Sequence, residues 1–218
     1  MLPRTCHLCG QPSGASLVCG DCGRDLPWLP ADACPGCALP TGGGVCGPCQ
    51  KDPPPFDETL AAFAYDFPVG AMVQGLKYGH RLELAGYFAS VLAKAVLRSH
   101  ERLPDLVLPM PLHPERLAER GFNQAAEIAR PLARRLGIEV DVLSLVRDVS
   151  TPPQVGLSSQ VRQRNVRGAF RCQRDLTGAQ VAVVDDVLTT GASLAEVARC
   201  LKARGARRVT NWVVARTP

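Results

Sequence analysis

The sequence predicts an α/β protein whose parallel sheet is flanked by helices, preceded by a small cysteine-rich module. Two observations support this fold class. Segments with strand and helix patterns alternate from Phe56 onward, an order typical of a parallel sheet with helices on both faces. Before that point, eight of the ten cysteines fall between Cys6 and Cys49, all in Cys-x-x-Cys pairs. A stiff, proline-rich linker at residues 51–55 predicts two units, residues 1–52 and 56–218.

Hydrophobic periodicity places the elements that follow the linker. We expect strands at residues 60–65, 106–110, 138–145, 181–185 and 208–215, and helices at residues 69–77, 82–98, 115–136 and 193–204. Gly137 ends the third helix, and Pro131 predicts a kink or break inside it, because proline lacks the amide proton that a helix interior uses. Residues 151–159 are expected to form a loop, in which Ser158 would cap a short helix reaching Arg164.

The charge of the chain favours an anionic ligand. The formal net charge is +5, but residues 1–55 hold three basic and four acidic residues, so the remainder carries +6. Only 5% of the residues are aromatic, so stacking surfaces for nucleobases are scarce. No apolar run approaches the roughly 18 residues of a membrane span, and the N-terminus lacks the apolar region of a secretory signal. We therefore expect a cytoplasmic protein.

The cysteine pairs have the spacing of zinc sites. A two-residue spacer lets a tight turn aim both sulfurs at one metal, and two such turns complete a tetrahedral shell of four thiolates. Four pairs therefore predict two structural Zn²⁺ sites. In the simplest, sequential grouping, the ligands are Cys6, Cys9, Cys19 and Cys22, then Cys34, Cys37, Cys46 and Cys49. A cross-braced grouping is the alternative, and redox dithiols are the competing interpretation, although redox Cys-x-x-Cys motifs usually occur singly.

The most informative segment runs from Val181 to Ser193. An apolar strand leads to two adjacent acids, Asp185 and Asp186, and then to a hydroxyl-rich loop and a helix. The loop residues are Thr189, Thr190, Gly191, Ala192 and Ser193. Amides and hydroxyls in this arrangement can surround a phosphate at a helix N-terminus, and two carboxylates can accept hydrogen bonds from vicinal ribose hydroxyls. The alternative is a solvated turn followed by an ordinary helix cap.

This segment resembles the signature with which type I phosphoribosyltransferases bind 5-phosphoribosyl-1-pyrophosphate (PRPP), and the whole chain is similar to the ComF family. The likeness covers essentially the full length and includes motifs besides the cysteine module. They are Gly75-Leu76-Lys77-Tyr78, Pro109-Met110-Pro111-Leu112-His113-Pro114 with Arg116, Arg120-Gly121-Phe122-Asn123-Gln124, Thr151-Pro152-Pro153-Gln154 and Asn165-Val166-Arg167-Gly168-Ala169-Phe170. The resemblance implies a type I phosphoribosyltransferase fold with an N-terminal double zinc ribbon.

The resemblance also implies roles for the site residues. Asp185 and Asp186 would hold the ribose 2′ and 3′ hydroxyls, and Thr189 through Ser193 would hold the 5′-phosphate. The loop that meets the pyrophosphate would consist of Pro109, Met110, Pro111 and Leu112. Mg²⁺ would bridge pyrophosphate and ribose oxygens, a role that suits an ion bound mainly through substrate phosphates and water.

Several basic residues are candidate anion ligands. Arg116, Arg120 and Gln124 recur every four residues, hence on one face of the predicted helix. They form either an anion clamp or a solvated face balanced by neighbouring glutamates. Lys77 lies in a short, glycine-bounded segment and is a further candidate for contact with phosphate. The stretch from Gln160 to Arg174 holds five arginines and no acid, and it is interpreted as a catalytic lid, a nucleic-acid contact or an exposed loop.

Three functions stay open at this point. The first is transfer of a phosphoribosyl group from PRPP to an unidentified base or amine, with no general base identifiable in the sequence. The second is non-catalytic binding of PRPP or a nucleotide. The third is a non-catalytic accessory factor for DNA uptake or recombination, because the ComF resemblance implies a link to natural competence. Its partners would be single-stranded DNA or DNA-uptake proteins.

Overall fold

The computed structural model describes residues 4–99, 102–149 and 166–217. The expected loop at residues 151–159, the cap at Ser158 and the arginine-rich stretch before residue 166 lie outside these ranges. The strands are β1 (Arg4–Thr5), β2 (Pro12–Gly14), β3 (Glu58–Ala64), β4 (Leu106–Pro109), β5 (Glu139–Val140), β6 (Leu145–Arg147), β7 (Phe170–Cys172), β8 (Gln180–Leu188) and β9 (Arg208–Arg216). The helices are α1 (Gly20–Arg24), α2 (Gly47–Lys51), α3 (Val69–Tyr78), α4 (Glu83–Ser99), α5 (Pro114–Arg120), α6 (Gln124–Leu136) and α7 (Ala192–Ala203). No helix within the described ranges is both long and apolar enough to cross a membrane.

Five parallel strands form the central sheet, in the order β3-β9-β8-β4-β5. Parallel neighbours cannot be joined by tight hairpins, so the connections cross the sheet and carry helices over its faces. The predicted parallel sheet flanked by helices is confirmed. Because β8 lies between β9 and β4, the loops that follow β4 and β8 emerge side by side at one edge of the sheet.

Side chains of β8 alternate between two hydrophobic clusters. Ala182 and Val184 belong to the cluster that includes α3, α4 and α6. Val181 and Val183 belong to the cluster that includes α7. All four side chains are buried, as is typical of a parallel strand covered on both faces. This packing fixes the backbone of β8, which carries the acidic pair.

The cysteine-rich module packs on the free edge of the sheet. The amide of Leu29 donates to the carbonyl of Ala62 at 3.0 Å, and the amide of Ala64 donates to the carbonyl of Pro27 at 2.8 Å. Residues 27–29 therefore extend the sheet beyond β3. The module also contributes buried side chains to the cluster that includes α3 and α4, namely Cys6, Val18 and Leu26. The division of the chain into two units stays a prediction.

The expected helix at residues 115–136 consists of two helices, α5 and α6. Gly121 adopts a left-handed conformation with φ 80° and ends α5. The side chain of Asn123 then accepts hydrogen bonds from the amides of Ala125 and Ala126 and begins α6. The expectation of a break at Pro131 is wrong, because Pro131 lies inside α6.

The expectation of one strand at residues 138–145 is also wrong. β5 pairs with β4 in the central sheet, whereas β6 pairs with β7 in a separate, antiparallel sheet. Asp141 makes a turn between them, since its Oδ1 accepts hydrogen bonds from the amides of Leu143 and Ser144 at 2.9 and 3.0 Å. A side chain that bonds its own backbone competes with sheet pairing, and here it ends the strand.

We expect Leu92→Ala to lower the free energy of unfolding by about 2–5 kcal/mol, because it removes a fully buried side chain from α4 and leaves a cavity. Leu97→Ala on the same helix is the matched control. Leu97 is 62% exposed, and its replacement should change that free energy by no more than about 0.5 kcal/mol. Denaturant unfolding followed by circular dichroism measures both variants. Equal losses would contradict this assignment of the buried face of α4.

Candidate functional site

The eight N-terminal cysteines form two groups of four, and the grouping is sequential. The first cysteine group is Cys6, Cys9, Cys19 and Cys22, and the second cysteine group is Cys34, Cys37, Cys46 and Cys49. Within each group the sulfurs lie within 4.8 Å of one another. The Sγ atoms of Cys9 and Cys19 are 3.7 Å apart, and those of Cys37 and Cys46 are 3.5 Å apart. Four sulfurs about 2.3 Å from a central Zn²⁺ would be about 3.8 Å apart at tetrahedral angles, so both groups fit a closed four-thiolate shell.

Backbone amides donate hydrogen bonds to one sulfur in each group and stabilise its thiolate form. The amide of Cys19 donates to Sγ of Cys6, and the amide of Cys46 donates to Sγ of Cys34, both at 3.3 Å. Burial alone would raise the pKa of Cys6, but these amide contacts outweigh it and lower the pKa to about 6. The same balance lowers the pKa of Cys34 to about 7. Hydrogen bonds with the neighbouring thiols of Cys9 and Cys19 raise the pKa of Cys22. Four thiolates this close together would need a cation to compensate their charge.

The second cysteine group contacts the central sheet near the candidate site. The amide of Thr59 in β3 donates to the carbonyl of Pro35 at 2.8 Å. Nε of Arg216, at the end of β9, donates to the carbonyl of Cys37 at 3.0 Å. Because β9 pairs with β8 up to this residue, the second cysteine group lies beside the loop that follows β8.

The strand that carries the acidic pair is longer than expected. β8 continues through Asp185 and Asp186 to Leu188. Its pairing with β4 stops at Val184, whereas its pairing with β9 continues to the last residue of both strands. The acidic pair thus lies just beyond the end of β4. Oδ1 of Asp185 accepts a hydrogen bond from the amide of Asp186 at 2.8 Å, which helps to order the pair.

The side chain of Lys77 reaches the acidic pair. Lys77 lies in the last turn of α3, and its Nζ is 2.6 Å from Oδ2 of Asp186. Burial alone would lower the pKa of Lys77, but the carboxylates of Asp186 and Asp185 more than offset this effect and raise it. Burial and then the charge of Asp186 raise the pKa of Asp185 well above its ordinary value, and Lys77 opposes that shift. The three side chains form one ionic cluster, in which Asp186 is buried and Lys77 and Asp185 are partly buried.

The loop after β8 has a conformation suited to a phosphate cradle. Gly191 has φ 78°, a left-handed conformation that residues with a Cβ rarely adopt. Thr189 and Thr190 are exposed, and Oγ1 of Thr190 accepts a hydrogen bond from the amide of Ala192 at 3.4 Å. α7 begins at Ala192 without a side-chain cap. The loop therefore ends on the positive end of a helix, where backbone amides lack intrahelical partners.

The loop at residues 109–112 is fastened to the acidic strand. The amide of Met110 donates to the carbonyl of Val184 at 2.8 Å, and Nδ2 of Asn123 donates to the carbonyl of Met110 at 3.0 Å. Val184 immediately precedes Asp185, so this loop and the acidic pair are neighbours. Asn123 also caps α6, and its two roles fix the loop relative to that helix.

The predicted row of Arg116, Arg120 and Gln124 is divided by the turn between α5 and α6. Arg120 still donates to Oε1 of Gln124, and its guanidinium lies 5.2 Å from the centre of the Tyr78 ring. Protein groups therefore already hold Arg120 in place. Arg116 is instead close enough to Arg147 to lower its pKa.

Arg147 is a candidate site residue that the sequence analysis missed. Its guanidinium lies 5.6 Å from the centre of the Phe170 ring. Burial, and then the charge of Arg116, lower the pKa of Arg147, whereas Asp185 acts in the opposite direction. Two guanidinium groups and one carboxylate thus share an electrostatic neighbourhood. No sequence signal indicated Arg147, because the predicted strand ended at residue 145, whereas β6 continues to Arg147.

Two cavities open beside these loops. The larger, of about 850 Å³, lies between the second cysteine group, the linker and the loop after β8, and Arg167 and Arg216 help to line it. The smaller, of about 600 Å³, lies between the loop at residues 109–112, the α5–α6 turn and β6, and Arg147 and Arg171 help to line it. Each cavity pairs a loop of the candidate site with guanidinium groups, an arrangement suited to anionic ligands.

The chain is similar in sequence to known proteins. Residues 123–218 match the phosphoribosyl transferase domain family. The chain is 35% identical to the DNA utilization protein YhgH of Salmonella typhi, over 99% of this chain and 98% of that protein. It is 30% identical to competence protein F of Haemophilus influenzae, over 97% of this chain and 90% of that protein. Among solved structures, adenine phosphoribosyltransferase from Leishmania tarentolae aligns with a TM-score of 0.43 and 10% identity, covering 73% of this chain and 91% of that one.

The two cysteine groups predict two zinc ions per chain in the purified protein. Cys19→Ser and Cys46→Ser are equivalent changes, because these cysteines precede α1 and α2 in the two groups. Each should leave one chelator-resistant zinc, since a shell of three thiolates holds the ion less tightly. Inductively coupled plasma mass spectrometry after dialysis against a mild chelator measures the content. Folded, zinc-free protein would contradict the assignment.

Removal of the ammonium group from the ionic cluster should destabilise the fold increasingly as the pH rises. Folding raises the pKa of Asp185, so the folded protein keeps this proton at pH values where the unfolded chain has lost it. The free energy of unfolding therefore falls as the pH rises from the unfolded pKa through the folded pKa. Lys77→Met raises that pKa further. Once the pH is high enough to ionise both acids, their charge lacks its compensating cation, which costs about 3 kcal/mol or more.

Denaturant unfolding at pH 6 and pH 8 measures this loss against the unmodified protein. Lys94→Met is the matched control, because Lys94 is exposed on α4, and its effect should stay within about 0.5 kcal/mol at both pH values. A Lys77→Met deficit that does not grow with pH would contradict the ionic cluster.

Proposed function

We propose, from the premise that this chain belongs to the ComF family of competence and DNA utilization proteins, that it binds PRPP with Mg²⁺ at the carboxyl ends of β4 and β8. Asp185 and Asp186 receive the ribose hydroxyls, and Thr189 through Ser193 receive the 5′-phosphate. The loop of Pro109, Met110, Pro111 and Leu112 receives the pyrophosphate. Structural zinc in both cysteine groups is part of the proposal.

One observation supports this proposal above the others, namely the hydrogen bond between Met110 and Val184. It joins two segments that are far apart in the sequence and sets the candidate pyrophosphate loop beside the acidic pair. The loop after β8 follows on the same strand. Ribose, 5′-phosphate and pyrophosphate recognition can therefore be supplied at one edge of the sheet, where open α/β sheets bind ligands.

The donor set also fits Mg²⁺. Asp185 and Asp186 offer carboxylate oxygens, which are the ligands this cation prefers. The raised pKa of Asp185 indicates that Lys77 alone does not compensate the negative charge here. When bound, Mg²⁺ would neutralise negative charge on the pyrophosphate. Lys77 would then be released from Asp186 to contact a phosphate group of the ligand.

Phosphoribosyl transfer is the proposed reaction. Pyrophosphate leaves C1′ as a nitrogen nucleophile arrives, and positive charge builds on the ribose ring. The protein contributes position and charge stabilisation rather than covalent chemistry. Arg147 is suited to the leaving pyrophosphate because it lies in the electrostatic neighbourhood of Asp185, and Arg116 lies in that of Arg147.

A second candidate function is a non-catalytic role with nucleic acid. It is favoured by the names of the relatives, a DNA utilization protein and a competence protein. Single-stranded DNA would meet basic side chains on the surface, and its affinity would fall steeply with salt. The two functions differ in their dependence on the acidic pair, because adjacent carboxylates would repel DNA phosphates.

We expect titration calorimetry of the zinc-loaded protein to detect PRPP binding in the presence of Mg²⁺. The double variant Asp185→Asn/Asp186→Asn should weaken binding about a hundredfold or more, because two charge-assisted hydrogen bonds to the ribose are lost. Asp25→Asn, an exposed acid of the cysteine-rich module, is the control and should bind as the unmodified protein does.

Absence of PRPP binding by the folded, zinc-loaded protein would overturn the proposal. Titration with single-stranded DNA over a range of salt concentrations provides the comparison. Salt-dependent DNA binding that survives in the double variant, without any PRPP binding, would favour the accessory function instead.

A further inference from the structure

Arg216 joins two separate parts of the candidate site. Its Nε donates to the carbonyl of Cys37 at 3.0 Å, and its Nη1 lies 3.4 Å from the carbonyl of Leu188. Nη1 also donates to the carbonyl and Oγ1 of Thr217, the latter at 3.0 Å. Cys37 belongs to the second cysteine group, and Leu188 is the residue before residues 189–193, the proposed phosphate loop. One planar guanidinium therefore spans a metal-ligand turn and the loop that would hold the ligand.

The turn at Cys37 depends on support to keep its conformation. Ala38 has φ 57° and is buried, and the left-handed region is unfavourable for a residue with a Cβ. The amide of Ala38 donates to the carbonyl of Cys34 at 2.8 Å, so the turn closes between two cysteines of one group. A metal held by both sulfurs would maintain this turn, and its loss would leave the Cys37 carbonyl free to move.

A second contact reaches the same loop from the residue that follows the linker. Phe56, at the end of the linker, is 5% exposed. Its Cζ is 3.9 Å from the position that a Cβ would take on Gly191. The cavity of about 850 Å³ is lined on one side by Cys37 and Cys49 and on the other by residues 189–192. The surroundings of the phosphate loop are thus built partly by the second cysteine group.

We infer that Arg216 is a positioning residue, through which metal in the second cysteine group sets the affinity of the phosphate loop for PRPP. This inference rests on the proposed function, because it concerns the affinity for that ligand. Arg216 acts through its geometry: the guanidinium holds the Cys37 and Leu188 carbonyls at a fixed separation. A side chain with the same charge and a different shape cannot replace it.

The first cysteine group provides an internal comparison. Its Cys6 belongs to the hydrophobic cluster that includes α3 and α4. Among the described residues that line the cavity beside the phosphate loop, the cysteines come from the second group. Metal in the first group would therefore stabilise the fold with little influence on the loop.

The test measures PRPP affinity, with Mg²⁺ present, for Arg216→Lys, Arg216→Gln and Cys46→Ser. We expect each to weaken binding about tenfold, within the usual range of coupling between sites, and both arginine variants to retain two zinc ions per chain. The double variant Arg216→Gln/Cys46→Ser should bind no more weakly than Cys46→Ser, because both changes interrupt one connection. Cys19→Ser should weaken binding by much less.

Arg208→Gln is the control for the arginine changes. Arg208 lies at the opposite end of β9 and pairs with Glu58 at 2.8 Å, so its replacement should leave PRPP affinity unchanged. Full affinity in Arg216→Lys would overturn the inference, since charge alone would then suffice. Additive losses in the double variant would also overturn it, because independent sites add.

A readout without ligand separates this inference from the proposed function. Amide hydrogen exchange across residues 188–192 should be faster in Arg216→Gln and in Cys46→Ser than in Arg208→Gln, because the loop loses its connection to the metal-bearing turn. If the unmodified protein does not bind PRPP, the proposed function fails while this measurement still decides the coupling. Unchanged exchange in both variants would overturn it.

Discussion

The ionic cluster of Lys77, Asp186 and Asp185 constrains much of the structure. Two adjacent carboxylates lie on a strand whose preceding residues are apolar on both faces, and the ammonium group lies 2.6 Å from one of them. Like charges buried without compensation are strongly destabilising. Lys77, in the last turn of α3, supplies the compensating charge, so the position of this turn relative to β8 is constrained. In the proposed complex, the ribose hydroxyls and Mg²⁺ would replace this internal ion pair. The same cluster therefore serves stability in the free protein and recognition in the proposed complex.

The position of β8 at the centre of the sheet brings the parts of the site together. On one side, β4 ends at Pro109, opposite Val184, and the loop that follows is held to Val184 by the amide of Met110. On the other, β9 accompanies β8 to its last residue and ends in Arg216. Unequal strand lengths thus leave the acidic pair open toward the β4 loop while the phosphate loop stays attached to β9. This difference between the two sides of β8 follows from where its backbone pairing with β4 and β9 ends.

The cysteine-rich module is more than an appendage in this arrangement. Residues 27–29 extend the sheet beyond β3, and the second cysteine group meets the end of β9 through Arg216. A structural metal in that group would stabilise a turn that contains a left-handed alanine. The similarity to the relatives spans nearly the full length of this chain, so it covers residues of the module as well as those of the sheet. The second cysteine group and the proposed PRPP site are therefore neighbouring parts of one structure.

The sequence by itself determined the features that depend on near neighbours. Paired cysteines, the acidic pair with its hydroxyl loop, Gly191 and the alternation of strands and helices are local patterns, because backbone preferences and ligand spacing act over a few residues. Local rules also failed where two of them competed. Asp141 ended a strand that periodicity continued, and Gly121 with Asn123 divided a helix in which a kink or break was expected at Pro131. Only the tertiary structure decided the grouping of the cysteines, since both groupings satisfy the same spacing. It also decided that Lys77 meets Asp186, that Arg147 lies near Asp185, and that Arg216 joins Cys37 to Leu188. These contacts link residues far apart in the chain, and the order and length of the strands set them, which no short stretch of sequence encodes.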